Sequence, residues 1–167
     1  MKEIVTDLQK IELLSAEKEE ENDYFREFIS NADSNYIDHL IFELDTEITP
    51  KIDCTKCGRC CQVLMIHITE NEIETLAQGS DLSIDTIKEK YIETSQQGQM
   101  ILNQIPCKFL DGKKCSIYKD RFSECREFPH LHKPNFSARM FTTMMYYSMC
   151  PILFNIIEAL KEKTNFK

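Results

Sequence analysis

The sequence predicts a mainly α protein with a small β-hairpin or short sheet and an irregular, cysteine-rich centre. Three observations lead to this fold class. The first 48 residues carry apolar side chains at helical spacing, and neither glycine nor proline occurs before Pro50. The middle of the chain contains β-branched runs and one Asp-Gly pair, which favours a tight turn between two strands. All eight cysteines lie between Cys54 and Cys150.

Three amphipathic helices are predicted before Pro50. Ser34 is the expected N-cap of the third. The first is marked by apolar residues at helical spacing, which are Ile4, Leu8, Ile11 and Leu13 or Leu14. The second carries an aromatic and aliphatic stripe that consists of Tyr24, Phe25, Phe28 and Ile29. Because such a stripe usually packs into a core, we interpret it as core, with binding to a partner helix as the alternative.

The middle of the chain alternates strand and helix signals. Residues 63–68 are β-branched and apolar and suggest a short strand. Thr69 and Glu72 form the pattern of a capping box, which predicts a helix from there to about Gln78. Residues 83–93 have the spacing of another amphipathic helix.

Two further elements follow the second group of cysteines. Residues 109–117 predict a hairpin that turns at Asp111 and Gly112. Pro151 is suited to the first position of a helix, which predicts a C-terminal helix to Lys163. We therefore expect a single domain over residues 1–167, in which a helical part (1–48) precedes a cysteine-cluster metal-binding core (50–150) and a C-terminal helix (151–167).

Composition and charge exclude some functions. The chain has 167 residues and a formal net charge of −8. Nucleic-acid phosphates would repel so acidic a protein, and we expect no nucleic-acid partner. No stretch approaches the roughly 20 apolar residues of a membrane span. The N-terminal residues lack the apolar core of a signal peptide, so we expect a cytoplasmic protein.

The predicted compartment decides how the cysteines are interpreted. The cytosol keeps thiols reduced, so metal ligation is a better interpretation than disulfide bonding. Cys54, Cys57 and Cys60 form a C-x₂-C-x₂-C pattern like the opening of a bacterial ferredoxin run. In that run a further cysteine is followed by proline, as Cys150 is here. The candidate metal ligands are Cys54, Cys57, Cys60, Cys61, Cys107, Cys115, Cys125 and Cys150.

The adjacent pair Cys60 and Cys61 bears on the number of metal atoms. In extended backbone, neighbouring side chains point to opposite faces, so two metal atoms would be easier to serve than one. A lone structural zinc also needs only four ligands. We expect one or two of the eight cysteines to be core residues, and Cys150 is the first candidate from its spacing.

The downstream cysteines suggest how a site could form. Cys107 and Cys115 flank the predicted turn, so a hairpin could bring both thiolates to one point. Cys125 lies between Arg121 and Arg126, whose charges would favour a thiolate. His67, His130 and His132 are further candidate ligands, although the alternative for each is an ordinary structural histidine.

Taken together, these motifs resemble the CxxCxxCC cysteine-cluster family (YkgJ-like), whose members are described as zinc- or iron-chelating. The motifs are Cys54-x-x-Cys57-Gly58-x-Cys60-Cys61, then Pro106-Cys107-x-Phe109-Leu110 with Cys115-x-Ile117-Tyr118, then Arg121-x-x-x-Cys125-Arg126-x-Phe128-Pro129. The chain departs from the family at Phe122, where a proline is usual. The resemblance implies metal chelation without selecting iron or zinc.

Three functional hypotheses follow. The first is a protein that carries an Fe–S cluster, of the 4Fe–4S type, with a redox or metal-handling role. The second is a zinc-stabilised structural or protein-interaction module. The third is a cluster-dependent enzyme that modifies a protein side chain. Each hypothesis is compatible with an unknown protein partner or protein substrate.

Overall fold

The computed structural model describes residues 3–78 and 82–166. This part of the chain is 59% helical with two small antiparallel sheets, which confirms the predicted mainly α class with a small sheet. It divides into two compact units. The helical unit consists of the described residues up to Asp53 and from Pro129 onward, and the cysteine unit of those within Cys54–Phe128. No helix in residues 3–78 and 82–166 has the length and apolar character needed to cross a membrane.

The α-helices are numbered in chain order: α1 (Leu8–Glu17), α2 (Glu19–Ser30), α3 (Ser34–Ile48), α4 (Cys54–Cys57), α5 (Cys60–Val63), α6 (Glu70–Gln78), α7 (Ile84–Tyr91), α8 (Ser123–Glu127), α9 (Phe136–Met144) and α10 (Pro151–Lys163). The strands are β1 (His67–Ile68), β2 (Ile92–Thr94), β3 (Met100–Leu102), β4 (Leu110–Asp111) and β5 (Lys114–Cys115). Short 3₁₀ turns occur at Thr49–Lys51 and Tyr118–Asp120.

The three predicted N-terminal helices are confirmed, with two corrections. Ile4 lies outside α1, which begins four residues later. The second correction concerns the cap of α3. The carboxylate of Asp33 accepts a hydrogen bond from the Tyr36 amide at 2.7 Å, so Asp33 and not Ser34 is the N-cap of α3. Ser34 is already the first helical residue. Pro50 lies in the 3₁₀ turn that ends this helical segment, as expected.

The core of the helical unit is built from helices that are distant in sequence. α10 packs against α3, and α9 packs against both α2 and α3. The N-terminus of α9 is held by Asp38 of α3, whose carboxylate accepts hydrogen bonds from the Asn135 and Phe136 amides at 2.7 and 2.8 Å. Phe25 and Ile29 of α2 are fully buried, which confirms the core interpretation for these two residues of the stripe.

A buried lysine links α2 to α10 inside the helical unit. The Lys161 ammonium, whose side chain is only 6% exposed, donates to Glu21, Asn22 and Glu158 at 2.8, 2.6 and 2.8 Å. The Tyr147 hydroxyl also donates to Glu158, at 2.8 Å. Burial alone would raise the pKa of Glu158, but the bond and charge of Lys161, supported by the Tyr147 bond, outweigh it and lower that pKa.

The cysteine unit has a small core above a three-stranded sheet. The strand order is β1-β3-β2, and β3 pairs antiparallel with both neighbours. The buried residues of this core are Ile66, Ile68, Ile73, Ile87, Leu102 and Phe122. The predicted capping box is confirmed: the Thr69 amide donates to Glu72 at 2.9 Å, and the Glu72 amide donates back to the Thr69 hydroxyl at 3.3 Å. Glu72 also accepts from the Ser123 amide at 2.6 Å, which ties α6 to the start of α8.

Two predicted elements have different bounds in the structure. Residues 63–68 form a strand only at His67–Ile68, because Val63 completes the helical turn α5. The helix predicted over 83–93 ends at Tyr91, and the chain passes directly into β2. The hairpin is confirmed, with Asp111 paired to Lys114 and Gly112 at φ 60°. Pro151 begins α10 as predicted.

Candidate metal centre

The first cysteine segment is a pair of short helical turns joined at a glycine. α4 carries Cys54 and Cys57, and α5 carries Cys60 and Cys61. Gly58 between them has φ 63°, in the left-handed region that glycine enters without strain, and its amide donates to the Cys54 carbonyl at 3.2 Å. The glycine therefore ends the first turn and lets the second begin at once.

Gly58 also brings the first segment against the hairpin. A β-carbon at this position would lie 2.8 Å from the Lys113 carbonyl oxygen and 3.0 Å from its α-carbon, so a larger residue does not fit without displacing the hairpin turn. Lys113 directly precedes β5, which carries Cys115. Nothing in the sequence indicated this close approach.

A backbone hydrogen bond joins the same two parts of the chain. The Cys107 amide donates to the Cys61 carbonyl at 2.8 Å. Cys115 lies opposite Leu110 in the β4–β5 hairpin, whose first strand begins three residues after Cys107. Cys107 and Cys125 both pack against the core of the cysteine unit. The backbone bond thus holds Cys61 beside the segment of Cys107, which leads into the hairpin of Cys115, and Cys125 packs against the same core as Cys107.

These four residues, Cys61, Cys107, Cys115 and Cys125, are called here the four-thiol group, because their charges act on one another. Burial raises the pKa of Cys107, Cys115 and Cys125, and a Cys61 thiolate raises each of them further by repulsion. Cys107 and Cys115 add to the effect at Cys125, where the pKa reaches about 12. The pKa of Cys61 is itself raised, first by its contact with Cys60 and then by burial.

The sequence predicts that arginine charges favour the thiolate form of Cys125, and Arg121 acts in this direction. Its charge opposes the rise in pKa at Cys115 and at Cys125, although burial outweighs it at both thiols. The guanidinium groups of Arg121 and Arg126 each donate to a backbone carbonyl, that of Tyr118 at 2.7 Å and that of Arg121 at 3.0 Å. Arg121 thus supplies positive charge to Cys115 and Cys125.

The adjacent cysteines correct an argument made from the sequence. Cys60 and Cys61 lie in a helical turn and not in extended backbone, and their sulfur atoms are 4.0 Å apart. Two thiolates on one tetrahedral zinc ion, with Zn–S bonds of about 2.3 Å, are separated by about 3.8 Å. The expectation that these side chains point to opposite faces is wrong, and the pair has the spacing of two ligands to one ion.

The eight candidate ligands are divided between the two units. Cys54 is exposed, while Cys57, Cys60 and the four-thiol group are half-buried in the cysteine unit. Cys150 lies buried in the helical unit as the N-cap residue of α10, and its role as a ligand stays a prediction. His130 and His132 are also in the helical unit, with ring centroids 6.4 Å apart, and His67 is exposed on β1.

The donor set suits soft or borderline metals. Thiolates select zinc, copper(I) and iron–sulfur clusters over hard cations such as magnesium. Within residues 3–78 and 82–166, no three His, Cys, Asp or Glu side chains already adopt the arrangement of a metal-ion site. The conclusion that these residues suit a soft or borderline metal therefore rests on the identity of the donor atoms and on the grouping of the four thiols.

The mainly α fold and the grouped thiols define a cysteine-rich protein of the metal-binding class. A family model described as "CxxCxxCC: Putative zinc- or iron-chelating domain" matches residues 53–151. This match covers more than half of the chain, and the protein belongs to that family. Comparisons with curated proteins and with solved structures give no match.

Proposed function

We propose that the cysteine unit binds an iron–sulfur cluster through its thiols and that the protein has a redox or metal-handling role. The observation that carries this proposal is the grouping of Cys61, Cys107, Cys115 and Cys125. The Cys107–Cys61 backbone bond and the Gly58 contact with Lys113 join the segments of the first three residues, and Cys125 packs against the same core as Cys107. Seven of the eight cysteines belong to this unit, and a lone structural zinc would use only four ligands.

The charges of the surrounding segments support an anionic centre. Residues 54–61 and 107–126, which hold all seven cysteines, contain eight Lys or Arg and only three Asp or Glu. The rest of the unit has the opposite balance, so the positive charge is concentrated where thiolates would be. Thiolate-bound metal centres carry net negative charge, and nearby cations offset it. Arg121 already acts in this way on Cys115 and Cys125.

A cluster held here would supply one-electron chemistry when bound. The protein's own part is to hold the thiols half-buried, so that the centre is shielded from water on the side of the core. Gly58 and the β4–β5 hairpin keep the two cysteine segments in register. These roles do not depend on which transition metal is bound.

A zinc-stabilised module is the second candidate, because the sulfur atoms of Cys60 and Cys61 are spaced for a single tetrahedral ion. In that case the metal would contribute folding free energy to the cysteine unit, whose buried aliphatic core is small. The cysteines that do not bind zinc would then be packing residues.

Elemental analysis and visible absorption of protein purified without oxygen separate the two candidates. Iron and sulfide in similar amounts, with an absorption band at about 400 nm, are expected for the cluster. Zinc in a colourless sample would replace the first candidate with the second. If neither metal is present and all thiols titrate freely, both candidates fail.

Three cysteine variants locate the ligands. Cys115→Ser is expected to lower the bound metal several-fold, because it removes one member of the four-thiol group from the hairpin. Cys150→Ala removes the cysteine of the helical unit and tests the prediction that Cys150 is a ligand. Full metal content in Cys115→Ser and also in Cys107→Ser would contradict the proposed site. A loss in Cys150→Ala equal to that in Cys115→Ser would extend the ligand set to the helical unit.

A further inference from the structure

A second feature of the molecule, a groove in the helical unit, is not explained by metal binding. A cleft of about 630 Å³ lies between α2 and α9, with Tyr24 and Phe141 in its lining. A second cleft of about 560 Å³ continues along α2 to Phe28. Tyr24 and Glu27 line both clefts, so the two form one continuous surface, called here the α2–α9 groove.

The groove exposes aromatic side chains of both helices. Phe25 and Ile29 already supply the buried face of α2, and both are 0% exposed. Tyr24 and Phe28 form a second stripe four residues apart on the same helix, and they are 60% and 40% exposed. Phe141 of α9 is 64% exposed. At roughly 150–250 Å² for each ring, these three expose an apolar area of about 300 Å², comparable to the largest patches on monomeric proteins.

The polar groups at the groove favour a cationic occupant. α2 contains five acidic residues and a single basic one, Arg26. Asp23 is paired with Arg26 at 3.3 Å, but the Glu27 carboxylate makes no ion pair within the described residues. The Arg26 guanidinium lies 5.4 Å from the centroid of Phe141, so this ring already accommodates a cation. The hydroxyl of Ser137, in the lining, is buried without a hydrogen-bond partner among the described residues.

We propose that the α2–α9 groove docks an amphipathic helical segment of a partner protein that carries lysine or arginine beside its apolar residues. The apolar residues of this segment fill the clefts against Tyr24, Phe28 and Phe141, and its cations face Glu27. A second copy of this chain suits the groove less well, because a symmetric contact would bring two acidic α2 helices together.

The α2–α9 groove is independent of the metal centre, since every residue that lines it belongs to the helical unit. It also accounts for the outward half of the aromatic stripe in α2. The inward half packs in the core. In the outward half, Phe28 contacts the rings of Phe25 and Phe166 on one side, at 6.2 and 5.4 Å, and its exposed side is left for a partner together with Tyr24.

The test is a binding titration with a fluorescein-labelled amphipathic peptide built from leucine and lysine at helical spacing. A peptide with glutamate in place of lysine is the probe for charge. The groove variants are Phe141→Ser and Glu27→Lys. Their matched controls are Phe42→Ser, an aromatic residue of α3 that is 63% exposed and lines neither cleft, and Glu12→Lys, an exposed acid of α1.

We expect the leucine–lysine peptide to bind, and each groove variant to weaken binding about tenfold or more. The control variants should change it by less than about twofold, since peripheral residues contribute little. The glutamate peptide should bind far more weakly. Far-UV circular dichroism and metal content should be the same in all four variants.

Four results would overturn the proposal. The leucine–lysine peptide could fail to bind the unmodified protein, or the control variants could weaken it as much as the groove variants do. Equal binding of the glutamate peptide would remove the charge argument. A dimer in sedimentation that is lost in Phe141→Ser would identify a second copy as the occupant instead.

Discussion

Replacing Gly58 by alanine tests the contact that joins the two cysteine segments. Gly58 has φ 63°, and its β-carbon position lies 2.8 Å from the Lys113 carbonyl oxygen. Gly112 provides the matched control, because it has φ 60° but nothing within 4 Å of its β-carbon position. The two substitutions therefore impose the same backbone strain, and only one of them adds a collision.

The expected magnitudes follow from these two effects. Alanine in the left-handed region costs about 1–2 kcal/mol, which applies to both variants. Forcing an additional carbon into a closely packed contact costs about 1–3 kcal/mol, which applies to Gly58→Ala alone. The cysteine unit should thus lose about 2–5 kcal/mol in Gly58→Ala and about 1–2 kcal/mol in Gly112→Ala.

The assay is the rate at which the Cys125 thiol reacts with a disulfide reagent in metal-free protein, measured by mass spectrometry of the labelled peptide. Cys125 is half-buried and packs against the core of the cysteine unit, so its labelling reports opening of that unit. Each 1.4 kcal/mol corresponds to about tenfold in rate when opening and closing are fast compared with labelling of the open form. Equal rates in the two variants, or a faster reaction in Gly112→Ala, would refute the close contact at Gly58.

Two further predictions concern polar contacts in the two units. Glu158→Gln should lower the free energy of unfolding by about 3 kcal/mol at pH 7, because it weakens the compensation of the buried Lys161 ammonium. Since the folded protein lowers the pKa of Glu158, its contribution is present above about pH 4.5 and is lost as the pH falls through the folded pKa. The difference between the two proteins in urea titrations should therefore shrink at pH 3.5, and a constant difference would contradict the link to ionisation. Glu72→Ala should lower the free energy of unfolding by about 1–2 kcal/mol through loss of the capping box and of the bond to the Ser123 amide. Glu74→Ala, at an exposed position of the same helix, should have almost no effect, and equal effects of the two would contradict the capping role.

The elements that could be predicted from the sequence are those that depend on neighbouring residues. The capping box needs only Thr69 and Glu72, and the hairpin needs only the Asp111-Gly112 pair between two short runs. Pro151 marks the start of its helix by its missing amide hydrogen. In each case the physical cause lies within one turn of chain.

The elements that were misplaced depend on partners far away in sequence. β1 is limited to two residues because its ladder is set by β3, which begins 32 residues later. Ile92 and Glu93 continue the amphipathic pattern of α7, so the sequence predicts helix where the structure has the first residues of β2. Only pairing with β3 makes that segment extended, and no local signal reveals such a pairing.

In the candidate site, too, the sequence predicts the features that depend on neighbouring residues and misses those that depend on distant ones. Count and spacing identified the eight cysteines, but not the four that influence one another. That grouping depends on the Gly58 contact with Lys113 and on the bond between Cys107 and Cys61, which join segments about fifty residues apart in sequence. For Cys150, the proline that follows it favours a metal ligand, whereas its spacing favours a core residue. In the structure it lies in the helical unit at the start of α10.

The adjacent pair determines how the choice between a cluster and a zinc ion should be argued. In extended backbone, the side chains of Cys60 and Cys61 would point to opposite faces and would favour more than one metal atom. Because α5 is helical, the two sulfur atoms are 4.0 Å apart and no longer require two metals. The case for a cluster therefore depends on the other thiols. Cys61 interacts both with Cys60 and with the rest of the four-thiol group, so a zinc ion bound by the pair would compete with a cluster for Cys61. Cys60→Ser separates the two cases: it should release zinc from a site built on the pair, whereas a cluster held by the four-thiol group should keep its iron.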